Sequence, residues 1–286
     1  MDNQNPTLAA LVWAKIWSAH RERWFRIMVR GKNNLPVAGF FDAYPRFFYT
    51  SSTASERDRL NQRHSALIQF NANVIAGRRI LDIASHDGRW SLAACKAGAE
   101  YVLGIEARQH LIEAARSNMR EYQVPDGKVQ FLQGDALVEL DHLEAGRFDT
   151  VFCFGFLYHT IDHMALFRRI ARLNPTNLVI DTAISTQPGS IAEVRDEEIE
   201  DESNGAVGDP GAPTRAVVGT LSREALELML RAAGFPALRY FDWLNAGIKR
   251  WDNLKAYYLG TRISLTAMVP AQKADGDPPT YREAAA

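Results

Sequence analysis

Residues 78–91 of the chain read RRILDIASHDGRWS. The apolar run from Ile80 to Ala84 carries one acid, Asp82, and ends in a turn of small and polar residues at 84–88. A segment compatible with a helix follows at once. We therefore predict a strand, a tight loop and a helix, an arrangement that places a nucleotide-like ligand beside exposed backbone N–H groups.

Four further apolar runs follow at the spacing of alternating strands and helices. They lie at 101–105, 129–132, 148–154 and 177–184, and helical patterns at 108–122 and 161–173 lie between them. This alternation predicts an α/β fold with a doubly wound, mostly parallel sheet. Ligands of such sheets bind at the carboxyl ends of the strands.

Acidic residues near the ends of these runs indicate the kind of ligand. Glu106 ends the second run about twenty residues beyond the loop, where a carboxylate accepts hydrogen bonds from ribose hydroxyls. Asp135 follows the third run and can receive an exocyclic adenine amine. Asp181 belongs to the fifth run, and we expect its carboxylate to face the same cleft.

The succession of these motifs resembles the class I S-adenosylmethionine-dependent methyltransferases. The matching segments are, in chain order, ILDIASHDG, VLGIE, FLQGDA, FDTVFCFGFLYH, NLVIDT, LSREALELMLRAAGF, ALRYFDW and RISLTAMV. The resemblance covers residues 62–269. It implies a Rossmann-like methyltransferase fold with a seven-stranded sheet and one bound S-adenosylmethionine.

The resemblance also implies which residues contact this cofactor. The loop residues face its methionine part, Glu106 its ribose, and Asp135 with Ala136 its adenine. The complete predicted cofactor site is Asp82, Ala84, Ser85, His86, Gly88, Glu106, Asp135, Ala136 and Phe154. Ala84 and His86 stand where the family commonly has glycine, so we expect a negative φ at Ala84 and a less tightly turned loop.

Methyl transfer to a hydroxyl is an in-line displacement that needs alignment and also benefits from a base. His159 follows the fourth run, where the family often places catalytic groups, and its ordinary pKa of about 6.5 suits proton removal. The alternative is that His159 only packs against the cofactor. Tyr158 is predicted to orient or pack. Asp181 can orient His159, hold a substrate hydroxyl or bind a divalent ion, although no metal site is predicted.

The composition excludes several classes of protein. The chain has 286 residues, of which 47% are hydrophobic, and a formal net charge of −1, which excludes a fibrous or disordered chain. No apolar run approaches the roughly 20 residues that cross a bilayer, and no signal-peptide pattern opens the sequence. We expect a cytoplasmic protein without a membrane partner.

We expect three parts in the chain. Residues 1–61 form an N-terminal helical and aromatic-rich cap, residues 62–270 the methyltransferase domain, and residues 271–286 a disordered tail. The cap combines a basic amphipathic helix at 8–28 with an aromatic cluster at 40–49 that needs a surface, either this domain or a second subunit of a homodimer. The acidic and Gly/Pro-rich stretch at 190–216 is predicted to be a lid or a disordered loop.

The acceptor is predicted to be a small molecule with a hydroxyl group, a sugar or an oligosaccharide. Tyr49, Trp251 and Tyr257 are the predicted acceptor contacts, because aromatic rings stack on sugar faces. The chain is also loosely similar to the sugar O-methyltransferases of methylmannose polysaccharide assembly.

Two other functions remain open. A tRNA-modifying methyl- or carboxymethyl-transferase is one, because IASHDG resembles the loop of the wobble-uridine enzymes, although the near-neutral charge does not favour nucleic acid. The other is a cofactor-binding pseudoenzyme that acts by binding a partner.

Overall fold

The computed structural model of the protein describes residues 39–50, 56–199, 206 and 214–270. The strands are β1 Arg79–Ile83, β2 Tyr101–Glu106, β3 Val129–Gln133, β4 Thr150–Phe154, β5 Asn177–Ala183, β6 Ala192–Glu198, β7 Arg215–Leu221, β8 Ala237–Tyr240 and β9 Arg262–Met268. Seven of them form one sheet in the order β3-β2-β1-β4-β5-β9-β8. The strands β1 to β5 pair in parallel, and β9 is antiparallel to both β5 and β8. The predicted doubly wound, mostly parallel sheet is confirmed.

The helices connect these strands across both faces of the sheet. They are α1 Arg57–His64, α2 Arg89–Lys96, α3 Gln109–Glu121, α4 Ala136–His142, α5 His163–Arg172, α6 Arg223–Ala232 and α7 Lys255–Tyr258. Several begin at recognisable capping residues. Asp135 caps α4 by accepting from the N–H groups of Leu137 and Val138, and Ser222 caps α6 by accepting from Ala225 N–H.

The apolar core has two layers because successive strand residues point to opposite faces of the sheet. Leu81 and Ile83 of β1 pack with α4, α5 and α6, whereas Ile80 packs with α1, α2 and α3. Helices therefore cover both faces of the sheet. The strand order reverses between β1 and β4. Such a reversal opens a crevice at the carboxyl ends of the strands.

The aromatic cluster at 40–49 packs against its own chain. Phe41 and Phe47 are completely buried and belong to the same layer as α2 and α3. The Phe41 ring meets the Trp90 ring edge to face, with centroids 5.5 Å apart. Burial of these two rings therefore needs no second subunit, and the homodimer stays a prediction. The predicted basic helix at 8–28 and the tail at 271–286 lie outside the described residues.

The stretch at 190–216 is more ordered than its composition predicts. β6 and β7 form a two-stranded antiparallel ribbon, from Ala192 opposite Leu221 to Glu198 opposite Arg215. Backbone pairing and an Arg215–Asp196 ion pair stabilise the described ends of the stretch without a large apolar core, and its action as a lid stays a prediction. Residues 200–205 and 207–213 are outside the description. Among the residues described, every helix is too short or too polar to cross a bilayer.

Candidate active site

A cavity of about 280 Å³ lies at the strand ends where the sheet order reverses. Eight of the residues predicted for the site line it: Ala84, His86, Glu106, Asp135, Ala136, Phe154, Tyr158 and His159. Sequence reasoning therefore located eight of the twenty described residues that line the cavity. The remaining predicted residues lie beneath the wall or elsewhere, and the reasons differ from residue to residue.

The loop after β1 turns through left-handed backbone conformations. Ala84 and His86 both have φ of +54°, and Gly88 has φ of +78°. The expected negative φ at Ala84 was wrong, because the chain must reverse sharply for Ser85 N–H to donate to Ile105 and Gly88 N–H to Ser85. Non-glycine residues adopt this region at some cost, so the surrounding hydrogen bonds stabilise it.

Three predicted loop and strand residues support the cavity from below. Asp82 and Ser85 are buried, and Ser91 Oγ donates to Asp82 Oδ2 at 2.6 Å. Burial raises the pKa of Asp82 to about 7. Gly88 leaves room for the Phe131 ring, because a Cβ there would lie 2.8 Å from it. Their placement fits a supporting function beneath the cavity wall.

The Glu106 carboxylate is held at the cavity wall by backbone donors. Its Oε2 accepts from His86 N–H at 3.1 Å, and its Oε1 accepts from Arg108 N–H at 3.1 Å. Although Glu106 is only 3% exposed, it lines the cavity. Each oxygen keeps a lone pair for a further donor, which suits a pair of neighbouring hydroxyls.

Asp135 uses one carboxylate oxygen to cap α4 and has the other available. Oδ1 accepts from Leu137 N–H at 2.9 Å and from Val138 N–H at 3.2 Å. Oδ2 makes no hydrogen bond within the described part of the chain and can accept from a ligand amine. Ile105 and Phe154 add apolar surface to the same cavity. Together these groups suit a flat, amine-bearing ring system.

His159 is paired with a carboxylate that the sequence did not single out. Its Nδ1 lies 2.9 Å from Glu197 Oε1, and Glu197 belongs to β6. Glu197 also accepts from Arg195 Nη2 at 3.1 Å and from Ala206 N–H at 3.2 Å. Burial lowers the pKa of His159, and the Glu197 charge only partly offsets this. The pairing of β6 with β7 positions Glu197 beside His159, which the run of acidic residues in the sequence does not indicate.

Asp181 does not reach the cavity, which corrects the expectation that it faces the cleft. It is completely buried in what we call the Asp181 cluster: Asp181, Arg63, Tyr257, Arg262 and Ser264. Its oxygens accept from Arg262 Nε at 2.7 Å and from Arg63 Nη2 at 3.0 Å. Although burial opposes ionisation, these guanidinium groups hold the pKa of Asp181 well below its usual range. Glu197, and not Asp181, contacts His159.

The predicted acceptor contacts are not brought together. Tyr257 and Trp251 are buried in a small core, and Tyr49 is 84% exposed without lining the cavity. The aromatic rings that line the cavity are instead Trp90, Phe154, Phe156 and Tyr158. Among the residues described, no group of three or more His, Cys, Asp or Glu is placed to hold a metal ion.

Three arginines form a further part of the wall, which we call the cationic wall: Arg59, Arg63 and Arg262. Arg262 Nη1 lies 3.4 Å from the Tyr158 hydroxyl. Arg262 belongs to β9 and reaches the cavity only through the pairing of β9 with β5.

Comparison with known proteins agrees with the fold. Residues 80–175 match the family described as Methyltransferase domain. This segment and the order of the seven-stranded sheet are similar to those of the class I S-adenosylmethionine-dependent methyltransferases. The fold is similar to the N-terminal domain of EvdMO1, solved in the presence of SAH and D-fucose, with a TM-score of 0.54, 19% identity and coverage of 88% of this chain and 97% of that one. The PH0226 protein from Pyrococcus horikoshii OT3 has a TM-score of 0.51, 16% identity and coverage of 81% and 100%.

Two curated relatives share part of the sequence. A ubiquinone biosynthesis O-methyltransferase from Neisseria meningitidis serogroup A / serotype 4A is 28% identical over 117 residues, which are 41% of this chain and 48% of the relative. A tRNA U34 carboxymethyltransferase from Pseudomonas savastanoi pv. phaseolicola is 30% identical over 173 residues, 59% of this chain and 48% of the relative. The chain thus matches about half the length of each.

The residues of the cavity fit S-adenosylmethionine. The two Glu106 oxygens match the ribose hydroxyls, and Asp135 Oδ2 matches the adenine amine. The apolar side chains of Ile105 and Phe154 suit the faces of the adenosine part. Residues 80–175 thus match a methyltransferase domain whose cavity suits this cofactor.

Proposed function

We propose that the protein transfers a methyl group from S-adenosylmethionine to a hydroxyl of a small molecule, with His159 as the general base. The observation that carries this proposal is the 2.9 Å contact of His159 Nδ1 with Glu197 Oε1 at the cavity wall. Bound S-adenosylmethionine supplies an activated methyl group on a positively charged sulfur. An alcohol is a weak nucleophile, so proton removal during transfer accelerates the reaction.

Glu197 supports this function by fixing the state of the imidazole. An ionised carboxylate accepts the Nδ1–H, which leaves the lone pair on Nε2 to receive the acceptor's proton. The pKa of His159 is lowered by burial, so the ring is neutral and able to act as a base near pH 7. Once protonated, the imidazolium is stabilised by the Glu197 charge.

A sugar remains our proposal for the acceptor scaffold, with different contacts from those first predicted. Trp90, Phe156 and Tyr158 line the cavity and offer the aromatic faces that Trp251, Tyr257 and Tyr49 do not. The Neisseria relative is named an O-methyltransferase, and this similarity supports a hydroxyl acceptor. The cytoplasmic location and the absence of a nucleic-acid partner stay predictions.

The test uses the full chain and radiolabelled S-adenosylmethionine with two acceptor pools, cell-derived sugars and total tRNA. We expect label in the sugar pool, lost in His159→Ala by a factor on the order of 10² to 10⁴. His142→Ala is the matched control, because the His142 side chain is 70% exposed on α4. Label in tRNA would overturn the small-molecule acceptor. Cofactor binding without label in any pool would favour the pseudoenzyme.

A further inference from the structure

From the cationic wall we infer that the acceptor carries an anionic group, a carboxylate or a phosphate, that binds at Arg59, Arg63 and Arg262. This inference rests on the proposed function and names the substrate class of the same site. The observations that carry it are the charge balance of the wall, its unpaired donors and its position beside His159.

The charge balance of the wall is positive before any ligand binds. Arg63 and Arg262 share one carboxylate, Asp181, and Arg59 forms no ion pair within the described residues. Three guanidinium groups therefore face one carboxylate. The other cavity arginines differ, because Arg89 is paired with Asp87 and Arg108 with Glu106. Buried and partly buried cations with too few counter-charges are costly, so the wall favours anions.

Two donors of the wall lack acceptors. Arg59 Nε and Arg63 Nε are buried atoms with no hydrogen-bond partner in the described structure. A buried N–H without an acceptor costs free energy that an anionic ligand recovers. Burial and the neighbouring Arg63 charge also lower the pKa of Arg59, consistent with a site that lacks a counter-charge.

The guanidinium groups are held in position without a ligand. Arg59 Nη1 donates to Asn253 O at 2.9 Å, and Arg63 Cζ lies 5.0 Å from the centre of the Trp90 ring. Arg262 is fixed by Asp181, which also accepts from Tyr257 and Ser264. A preorganised set of donors loses little conformational entropy on binding, which favours selective recognition of an anion.

The cofactor alone does not neutralise the wall. S-adenosylmethionine brings one carboxylate, whereas the wall has two guanidinium groups in excess of Asp181. Arg262 approaches the Tyr158 hydroxyl, and the Tyr158 ring lies 4.3 Å from the His159 ring between centroids. The wall therefore reaches the place where the base meets the acceptor, and the second anion belongs to the acceptor.

The experiment separates the cofactor's carboxylate from a second anion. Inorganic phosphate and acetate are titrated by calorimetry into the full chain saturated either with S-adenosylhomocysteine or with 5′-methylthioadenosine, which has no carboxylate. We expect saturable binding of at least one anion to both complexes. Binding to the methylthioadenosine complex alone would overturn the inference, because the site would then be that of the cofactor's carboxylate. Binding to neither complex would overturn it as well.

Variants connect the anion to the wall. Arg59→Gln is expected to weaken anion binding to the S-adenosylhomocysteine complex about tenfold or more, since charged hydrogen bonds are lost. Arg59→Lys keeps the charge but not the planar donors, so its affinity for the anion is expected to lie between those of the wild type and Arg59→Gln. Arg231→Gln is the control, because that side chain is 49% exposed on α6. Equal binding by Arg59→Gln and Arg231→Gln would overturn the inference.

Failure of this inference is distinguishable from failure of the proposed function. His159→Asn is expected to lose methyl transfer while binding the anion normally, so its turnover tests the base alone. Uronic acids, sugar phosphates and neutral sugars are then compared as acceptors by kcat/KM. A preference for one acidic series identifies the carboxylate or the phosphate, and equal or better use of neutral sugars refutes the anionic acceptor.

Discussion

Replacing Glu197 by Gln tests the catalytic pair most directly. The substitution keeps the shape of the side chain but removes the charge that lies 2.9 Å from His159 Nδ1. A hydrogen bond to a charged group contributes about 1.5–3 kcal/mol, and about 1.4 kcal/mol is a factor of ten in rate, so we expect kcat to fall roughly 10- to 150-fold. His159→Ala removes the base itself and is expected to cost more.

The pH dependence gives a second, independent readout of the same change. The pKa of His159 is already lowered by burial, so in the wild type activity is lost only as the pH falls below the ordinary histidine range. Glu197 raises that pKa, and removing its charge lowers it further. The acid limb of kcat/KM is therefore expected to move to lower pH in Glu197→Gln, opposite to the shift that a lost cationic neighbour would give.

The assay is steady-state methyl transfer from pH 5 to 9, with cofactor affinity measured separately by calorimetry. Cofactor affinity should stay near the wild-type value, because Glu197 contacts the base and not the ribose site. Arg195→Gln is a useful comparison, since it removes an ion pair to the same carboxylate while leaving the His159 contact. A wild-type kcat and an unmoved acid limb in Glu197→Gln would refute the assignment of His159 as a base oriented by Glu197.

Three other changes test the surrounding structure. Glu106→Ala is expected to weaken S-adenosylmethionine binding at least about tenfold by calorimetry, because charged hydrogen bonds to the ribose are lost. Equal affinity of Glu106→Ala and the surface variant Glu144→Ala for S-adenosylmethionine would contradict the ribose contact. Asp181→Asn is expected to lower the free energy of unfolding by about 3–5 kcal/mol in urea, since two buried guanidinium groups lose their counter-charge. The pKa of Asp181 is lower in the folded than in the unfolded protein, so this stabilisation is present above the unfolded pKa and is lost as the pH falls through the folded pKa. An Asp181→Asn protein as stable as the wild type at pH 7 would refute this contribution of Asp181 to stability. Gly88→Ala is expected to lower the free energy of unfolding by about 1–3 kcal/mol, because φ is +78° and the new Cβ meets Phe131. Gly127→Ala, with φ of +81° but open space around the new Cβ, measures the cost of the backbone conformation alone.

The contrast between Glu106 and Asp181 explains how far the sequence could predict the site. Both are acids near the end of an apolar run, and the same rule was applied to both. Glu106 is the last residue of β2, so its side chain reaches the cavity. Asp181 is followed by two more residues of β5 and pairs in register with Ser264 of β9. Apolar periodicity does not reveal which strand pairs with which, so the burial of Asp181 could not be predicted.

Long-range pairing also accounts for the other differences. The alternation of strands and helices is a local property, and it correctly predicted the sheet and the acid-tipped strand β2. Glu197 reaches His159 because β6 pairs with β7, and Arg262 reaches the cavity because β9 pairs with β5, over separations that local patterns do not encode. The positive φ of Ala84 likewise depends on the Ser85–Ile105 hydrogen bond to a neighbouring strand.

The cavity wall consists of two regions with different origins in the chain. The residues that fit the cofactor, from Ala84 to Ala136, all lie inside the 80–175 segment shared with the family. Arg59, Arg63, Glu197 and Arg262 lie outside it, on both sides. The flanking segments can therefore change in evolution and alter what is methylated while the donor site stays the same.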